Sequence, residues 1–274
     1  MAEGTTMTEP PFSMGIGPDG KPFPVHATAA PEYGAGALEG LVIGLCLGPD
    51  GAIRTDTPAL VGVVAALVES LMARGMFHVD DVTLRYHAWP TPPAAEAPLR
   101  ALPIALFFAG QPEELRAAVL AEAALTGADT RSSLAAVAVA AAVSAGTFDM
   151  AKGYDMAVAA VQGLDAAAPQ VAGEHAALEL REDLRRAVSA ATVDGLGAAD
   201  VLGTAMRRAF WHLLHSDDFD VALGEVAAHG EPLATALTGV LLGACHGAEA
   251  IPGAWREAVA SRVAPLAVLL AADE

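Results

Sequence analysis

Apolar residues recur at helical spacing from residue 36 to the end of the sequence, and this pattern constrains the fold more than any other feature. Segments such as "TPALVGVVAALVESLMARG" and "TRSSLAAVAVAAAVSAG" carry it, separated by short breakers. No alternating β-branched pattern competes with them. Many segments are apolar almost all round, which is typical of helices enclosed by other helices. The sequence therefore predicts one all-α domain.

The first part of the chain differs from the rest. Residues 1–34 are rich in Gly, Pro and Thr, include "GPDGKPFP" and show no apolar period, which predicts a flexible N-terminal arm. The helical domain is expected to cover residues 35–274. Residues 1–8 lack the positive start and the apolar stretch of a secretory signal, so we expect a cytoplasmic protein.

The charge of the chain excludes several classes of partner. Lys and Arg total 15 against 33 for Asp and Glu, and the net charge of -18 would repel nucleic acid polymers and anionic membrane surfaces. The apolar runs are also too short to span a bilayer. Cys46 and Cys245 are the only cysteines, so we expect buried core residues and no disulfide framework.

Glycines occupy small-residue positions in or at the ends of the predicted helices. A glycine inside a helix costs roughly 1 kcal/mol against alanine unless close packing compensates for it. We therefore expect close helix contacts at Gly44, Gly48, Gly62, Gly239 and Gly243.

Several motifs follow one another in a recognisable order: "GALEGLVIGLCLG", "RTDTPALV", "ALPIALFF" and "ALTGVLLGACHGAEAIPGAW". This order resembles the ADP-ribosylglycohydrolase family, which includes the dinitrogenase reductase-activating glycohydrolases. The resemblance covers most of residues 36–260 and implies a single-domain orthogonal helical bundle. It also implies a cleft in which two acidic motifs hold a pair of magnesium ions for cleavage of an ADP-ribosyl bond.

The first acidic motif is only partly present. Family members have Thr-Asp-Asp-Thr, and aligning Thr57 with its last residue places Arg54, Thr55 and Asp56 under the other three. One carboxylate of two remains, and a cation has appeared at Arg54. The long loop that precedes the motif in the family is reduced to "PDGAI".

The second acidic motif, Gly-Gly-Asp-x-Asp-Thr in the family, has lost both aspartates. Gly230 and Pro232 stand at their positions, Leu233 stands under the Thr, and Glu231 lies between. The Thr-His pair that family members often carry is likewise changed. It is Thr126 followed by Gly127 here, although Asp129 and Arg131 keep the rest of that pattern.

These departures predict a non-catalytic protein, a pseudoenzyme with a degenerate magnesium site, no catalytic residues and no cofactor. The former cleft would bind a protein partner or an ADP-ribose-like ligand, with Arg54 supplying a fixed positive charge. The residues expected to line it are Arg54, Thr55, Asp56, Thr57, Asp129 and Glu231. One alternative is an active hydrolase with a rebuilt site, using a single magnesium on Asp56 and Glu231 or none. Another is a structural or assembly protein.

Ordinary structural roles also account for some of these residues. Asp56 before Thr57-Pro58 is typical of a helix start with a capping carboxylate, and Glu231 before Pro232 is typical of another. His212, His215, Asp217 and Asp218 could form a metal site, but a helix end followed by Ser216 as the next N-cap explains them without a metal. Trp211 and Trp255 are expected to be core anchors.

Overall fold

A computed structural model of the chain describes residues 14–16, 22–24, 31–146, 150–164 and 171–271. Within these residues the first half of the chain forms α1 (Pro31–Cys46), α2 (Ala59–Arg74), α3 (Val79–Tyr86), α4 (Ala97–Arg100), α5 (Leu102–Phe107) and α6 (Pro112–Leu125). The second half forms α7 (Thr130–Gly146), α8 (Met150–Leu164), α9 (Val171–Ser189), α10 (Val201–His215), α11 (Phe219–Ala228), α12 (Pro232–His246) and α13 (Gly253–Ala267). Short 3-10 helices cover Ala94–Glu96, Val193–Gly195 and Ala248–Ala250. The all-α prediction is confirmed.

The predicted N-terminal arm lies largely outside the described residues, so its flexibility stays a prediction. Two short strands within it, β1 (Met14–Ile16) and β2 (Pro22–Pro24), pair antiparallel with Gly15 opposite Phe23. Helix α1 begins at Pro31, so residues 31–34 of that arm already belong to the first helix. Gly34 is buried there against the side chain of Leu270.

Helices α1 and α12 form the centre of the fold, and glycines let their backbones meet. A Cβ added at Gly40 would overlap the carbonyl oxygen of Gly239, and one added at Gly243 would overlap that of Gly36. Gly44 faces the backbone of Ala236 in the same way. The two helices are therefore antiparallel, and the end of α1 lies beside the start of α12.

The close contacts expected at Gly44, Gly239 and Gly243 are thus confirmed. Gly62 also makes a close contact, but its partner is the indole ring of Trp89 instead of a helix backbone. The expectation for Gly48 is wrong, because this glycine meets the side chain of Asp50 within its own loop.

The rest of the core surrounds this pair. Helix α7 packs against α4, α5, α6, α8, α9 and α12. These contacts explain why alanines and valines occupy all faces of this helix. One apolar cluster joins residues of α1 to residues of α13. Cys46 is fully buried in it, whereas Cys245, Trp211 and Trp255 are half-buried and pack against its edge.

Helix ends follow local rules in several places. The Asp200 carboxylate accepts a hydrogen bond from the backbone N–H of Gly203 at 2.8 Å, which caps α10. Ser216 directly follows α10, and the N-cap of α11 is Asp218, so the prediction that Ser216 caps the next helix is wrong.

Among the described helices, none combines the length and the apolar run that crossing a membrane requires.

Candidate functional site

A tight turn follows α1, at the place where the sequence predicts that the long loop of the family is reduced to "PDGAI". The backbone N–H of Gly48 donates to the carbonyl oxygen of Ala52 at 2.8 Å, and Leu47 forms an isolated bridge with Ile53. The N–H of Arg54 then donates to the carbonyl oxygen of Cys46 at 2.9 Å. These bonds return the chain at once to the end of α1, so the first motif lies directly beside that helix terminus.

Arg54 is held by the helix it follows. Its Nη2 donates to the carbonyl oxygen of Leu45 at 2.6 Å, in the last turn of α1. A cation at this position satisfies a free carbonyl and interacts favourably with the negative end of the helix dipole. The side chain is nevertheless exposed, so its other donors remain accessible to solvent.

Arg262 of α13 fixes the backbone of the first motif, a role that sequence reasoning missed. It is 9% exposed, and its Nη1 lies 2.8 Å from the carbonyl oxygen of Arg54 and 3.2 Å from that of Asp56. The same nitrogen lies 3.0 Å from the Cys46 sulfur. Burial raises the pKa of the Cys46 thiol despite the nearby arginines, so the thiol stays protonated at neutral pH.

The motif side chains themselves face solvent. Thr55, Asp56 and Thr57 are all exposed, and the Asp56 carboxylate makes no hydrogen bond or ion pair within the residues that the structure describes. Helix α2 has Pro58 as its N-cap and no side-chain cap. The prediction that the Asp56 carboxylate caps this helix is therefore wrong, and Asp56 is left as a free surface carboxylate.

The second motif forms the turn between α11 and α12, which we call the 229–231 turn. Gly230 has φ 70°, a left-handed conformation that favours glycine. Glu231 is the N-cap residue of α12 and Pro232 its first residue, although the Glu231 carboxylate does not cap the helix. This carboxylate instead points to α10, where its Oε2 lies 3.0 Å from Nη1 of Arg208.

Arg208 is the other residue that the sequence did not reveal. It is 5% exposed, and its Nε and Nη1 have no hydrogen-bond partner. The contact with Glu231 is therefore an ion pair without good hydrogen-bond alignment, and the Glu231 side chain is 33% exposed. A buried guanidinium depends on such a pairing, because an isolated charge loses its hydration.

The two histidines of α10 do not act together as metal ligands. His212 is fully buried, its Nδ1 is 2.8 Å from the Ser216 hydroxyl, and burial together with Arg208 lowers its pKa to about 4. His215 stacks on Trp211 and its Nδ1 lies 2.8 Å from the Trp211 carbonyl oxygen. A neutral structural histidine and a surface aromatic contact account for both.

The remaining predicted site residue, Asp129, starts a helix. Its Oδ1 accepts a hydrogen bond from the backbone N–H of Ser132 at 2.7 Å, in the first turn of α7. The neighbouring Gly127 has φ 67°, so a histidine at this position would adopt a strained backbone conformation. Asp129 therefore has a sufficient structural role as a cap.

A buried polar network lies beside Thr126. Arg100 and Glu122 are both fully buried and paired at 2.7 Å, and the Tyr86 hydroxyl donates to the same Glu122 oxygen at 2.9 Å. Arg100 also donates to the Thr126 hydroxyl at 2.5 Å. The pKa of Glu122 is raised because the carboxyl is buried, and the positive charge of Arg100 only partly opposes this shift. The network joins α3, α4 and α6.

The fold brings the two acidic motifs to one end of the molecule. Because the end of α1 lies beside the start of α12, the exposed residues 54–57 and the 229–231 turn share this end. Their carboxylates do not fit a pair of magnesium ions, since Asp56 is at the surface and Glu231 is already paired with a buried cation. Within the described part of the chain, no group of three or more His, Cys, Asp or Glu side chains could hold a metal ion.

Comparisons with known proteins agree with this architecture. A solved structure described as "ADP-ribosylglycohydrolase-related protein complex" matches with a TM-score of 0.64 and 20% sequence identity, covering 88% of this chain and 97% of that chain. No curated protein matches. The family model for ADP-ribosylglycohydrolase matches residues 92–273, which contain the second motif and begin after the first. The chain belongs to the ADP-ribosylglycohydrolase family.

Proposed function

We propose that this chain is a non-catalytic member of the family, which binds a ligand at the end of the molecule shared by residues 54–57 and the 229–231 turn. The observation that carries the proposal is the ion pair between Arg208 and Glu231. Family chemistry, as the sequence resemblance implies it, needs carboxylates free to coordinate magnesium. Here the one carboxylate of the second motif neutralises a buried guanidinium.

The charges at this end support binding of an anionic group. Arg54 is exposed, is fixed at one nitrogen by the Leu45 carbonyl, and keeps donors available in a chain with net charge -18. A guanidinium presents its donors in a planar fork that suits phosphate or carboxylate. ADP-ribose, the group that the family recognises, is therefore the first ligand to test, and the exposed hydroxyls of Thr55 and Thr57 add further hydrogen-bonding capacity.

One observation favours the alternative of an active hydrolase. The Asp56 carboxylate is exposed and has no partner among the described residues, so it remains available to a single divalent ion. A lone carboxylate binds magnesium weakly, because this ion prefers several oxygen ligands in octahedral geometry. We therefore rank hydrolysis second.

Two measurements on the full chain test the proposal. Release of ADP-ribose from an ADP-ribosylarginine substrate is followed across a magnesium titration, with an active family member as positive control. We expect no release at any magnesium concentration. Magnesium-dependent release that disappears in Asp56→Asn would overturn the non-catalytic proposal and establish the alternative.

Binding is measured separately by calorimetry with ADP-ribose. We expect heat of binding for the unmodified chain, a loss of affinity of about tenfold in Arg54→Ala, and no change in Arg186→Ala. Arg186 is a matched control because it is an exposed guanidinium on α9, and it is paired with Glu182 on the same helix. An unmodified chain that does not bind ADP-ribose would overturn the ligand-binding part.

A further inference from the structure

A buried cation faces the turn at which the family resemblance places the second acidic motif. Arg208 projects from α10 to the 229–231 turn and is almost completely removed from solvent. We propose that Arg208 is a built-in cation for this turn, so that the junction of α10, α11 and α12 is held without a divalent ion. The inference rests on the proposed loss of metal chemistry, but it concerns stability and is tested by unfolding.

Within the part of the chain that the structure describes, the charge of Arg208 is paired with a single carboxylate. Its Nη1 lies 3.0 Å from Glu231 Oε2, and Nε and Nη1 have no hydrogen-bond partner. A buried guanidinium without a counter-charge is strongly unfavourable. The position of Glu231 is therefore coupled to that of α10, and through its N-cap position to the start of α12.

Two histidines lie near this charged pair. His212 lies one helical turn after Arg208 and is fully buried; its Nδ1 contacts the Ser216 hydroxyl, and its Nε2 has no hydrogen-bond partner within the described residues. His229, at the other side of the turn, lies 3.9 Å from Asp194 and is partly exposed. Arg208 and Glu231 thus form the central charged pair, with the histidines at its edge.

This arrangement predicts what a reversed charge at position 208 would do. A glutamate there would place two carboxylates side by side, which repel each other and attract a divalent ion that could bridge them. The junction would then become dependent on the kind of ion that the present pair makes unnecessary.

The experiment is thermal unfolding of the full chain in EDTA and in millimolar Mg²⁺ or Mn²⁺ at matched ionic strength. We expect the unmodified chain to have the same Tm in all three. Arg208→Glu should unfold at least about 6 °C lower in EDTA and recover part of that loss with a divalent ion. Arg186→Gln, which removes an exposed positive charge without adding a carboxylate, serves as the control and should show no divalent-ion response.

The double variant R208E/E231R restores a pair of opposite charges with exchanged partners. It should regain Tm in EDTA relative to Arg208→Glu and lose the divalent-ion response. A Tm of the unmodified chain that rises with Mg²⁺ would overturn the proposal, as would a double variant no more stable than Arg208→Glu. Hydrolytic activity does not enter either outcome, so this inference and the proposed function can fail separately.

If Arg208→Glu does not fold, a double-mutant cycle with glutamine replacements tests the coupling of Arg208 and Glu231. Glu231→Gln leaves the buried guanidinium unpaired and should have the lowest Tm of the set. Adding Arg208→Gln should raise the Tm again, because the uncompensated charge is then gone. Additive losses in the double variant would show that the two side chains are not coupled and would overturn the proposal.

Discussion

Replacing Gly40 with alanine tests the close approach of α1 and α12. The added Cβ would overlap the carbonyl oxygen of Gly239 and lie 2.5 Å from its carbonyl carbon and 3.3 Å from its Cα. Ordinary van der Waals contact begins near 3.4 Å, so the helices would have to separate by about 1 Å. All three neighbouring atoms belong to the backbone, which has no rotamer by which to move away.

The expected loss of stability follows from two opposing contributions. Overpacking of a well-packed core costs about 3 kcal/mol at the upper end of its usual range. Alanine favours the helix over glycine by about 1 kcal/mol. The net loss is about 2 kcal/mol, which corresponds to a decrease in Tm of about 4–8 °C for a domain of this size.

Thermal unfolding followed by circular dichroism measures this difference, and the chain offers a matched control. Gly224 lies inside α11, and a Cβ added there has no neighbour within 4 Å. Gly224→Ala should therefore stabilise the protein by up to about 1 kcal/mol through helix propensity alone. A Gly40→Ala protein that unfolds at or above the temperature of the unmodified chain would refute the reasoning.

Two further predictions concern buried charges. The folded pKa of His212 is about 4, below its ordinary value of 6.5, so the unfolded chain binds more protons between these values and stability falls as the pH decreases from about 6.5 to about 4. This loss of unfolding free energy reaches roughly 3 kcal/mol. In urea unfolding across this pH range, the free energy of unfolding should depend less on pH in His212→Gln than in the unmodified chain. The same pH dependence in both proteins would contradict the lowered pKa of His212. Glu122→Gln leaves the fully buried Arg100 without its counter-charge and should cost about 3–5 kcal/mol in urea unfolding, whereas Glu225→Gln on the exposed face of α11 should change nothing measurable. Equal stability of these two variants would contradict the role of the buried pair.

The helical class of the fold could be predicted because its signal is local. Apolar spacing and breakers mark most helices, and the glycines of α1 and α12 indicate close packing before any partner is known. The contact partners of these glycines could not be predicted in this way. Gly36 meets Gly243 across most of the chain, and a single sequence by itself contains no signal for such a pairing.

The candidate site shows the same limit. The loss of carboxylates at residues 54–57 and 229–231 could be predicted from the motif spacing. The arginines that contact these two segments lie far from them in the sequence and could not be predicted. Arg262 lies on α13 and Arg208 in the middle of α10, where each resembles any helical arginine in sequence. Even the local prediction for Asp56 failed, because α2 begins after Pro58 and leaves the carboxylate at the surface.

The pairing of the first helix with the twelfth has a consequence for biosynthesis. Because α1 emerges from the ribosome long before α12, its glycine-lined face has no native partner until α2 to α11 and then α12 have been translated. The central layer of this protein therefore assembles late, and a nascent chain that is truncated before α12 lacks the partner of its own first helix.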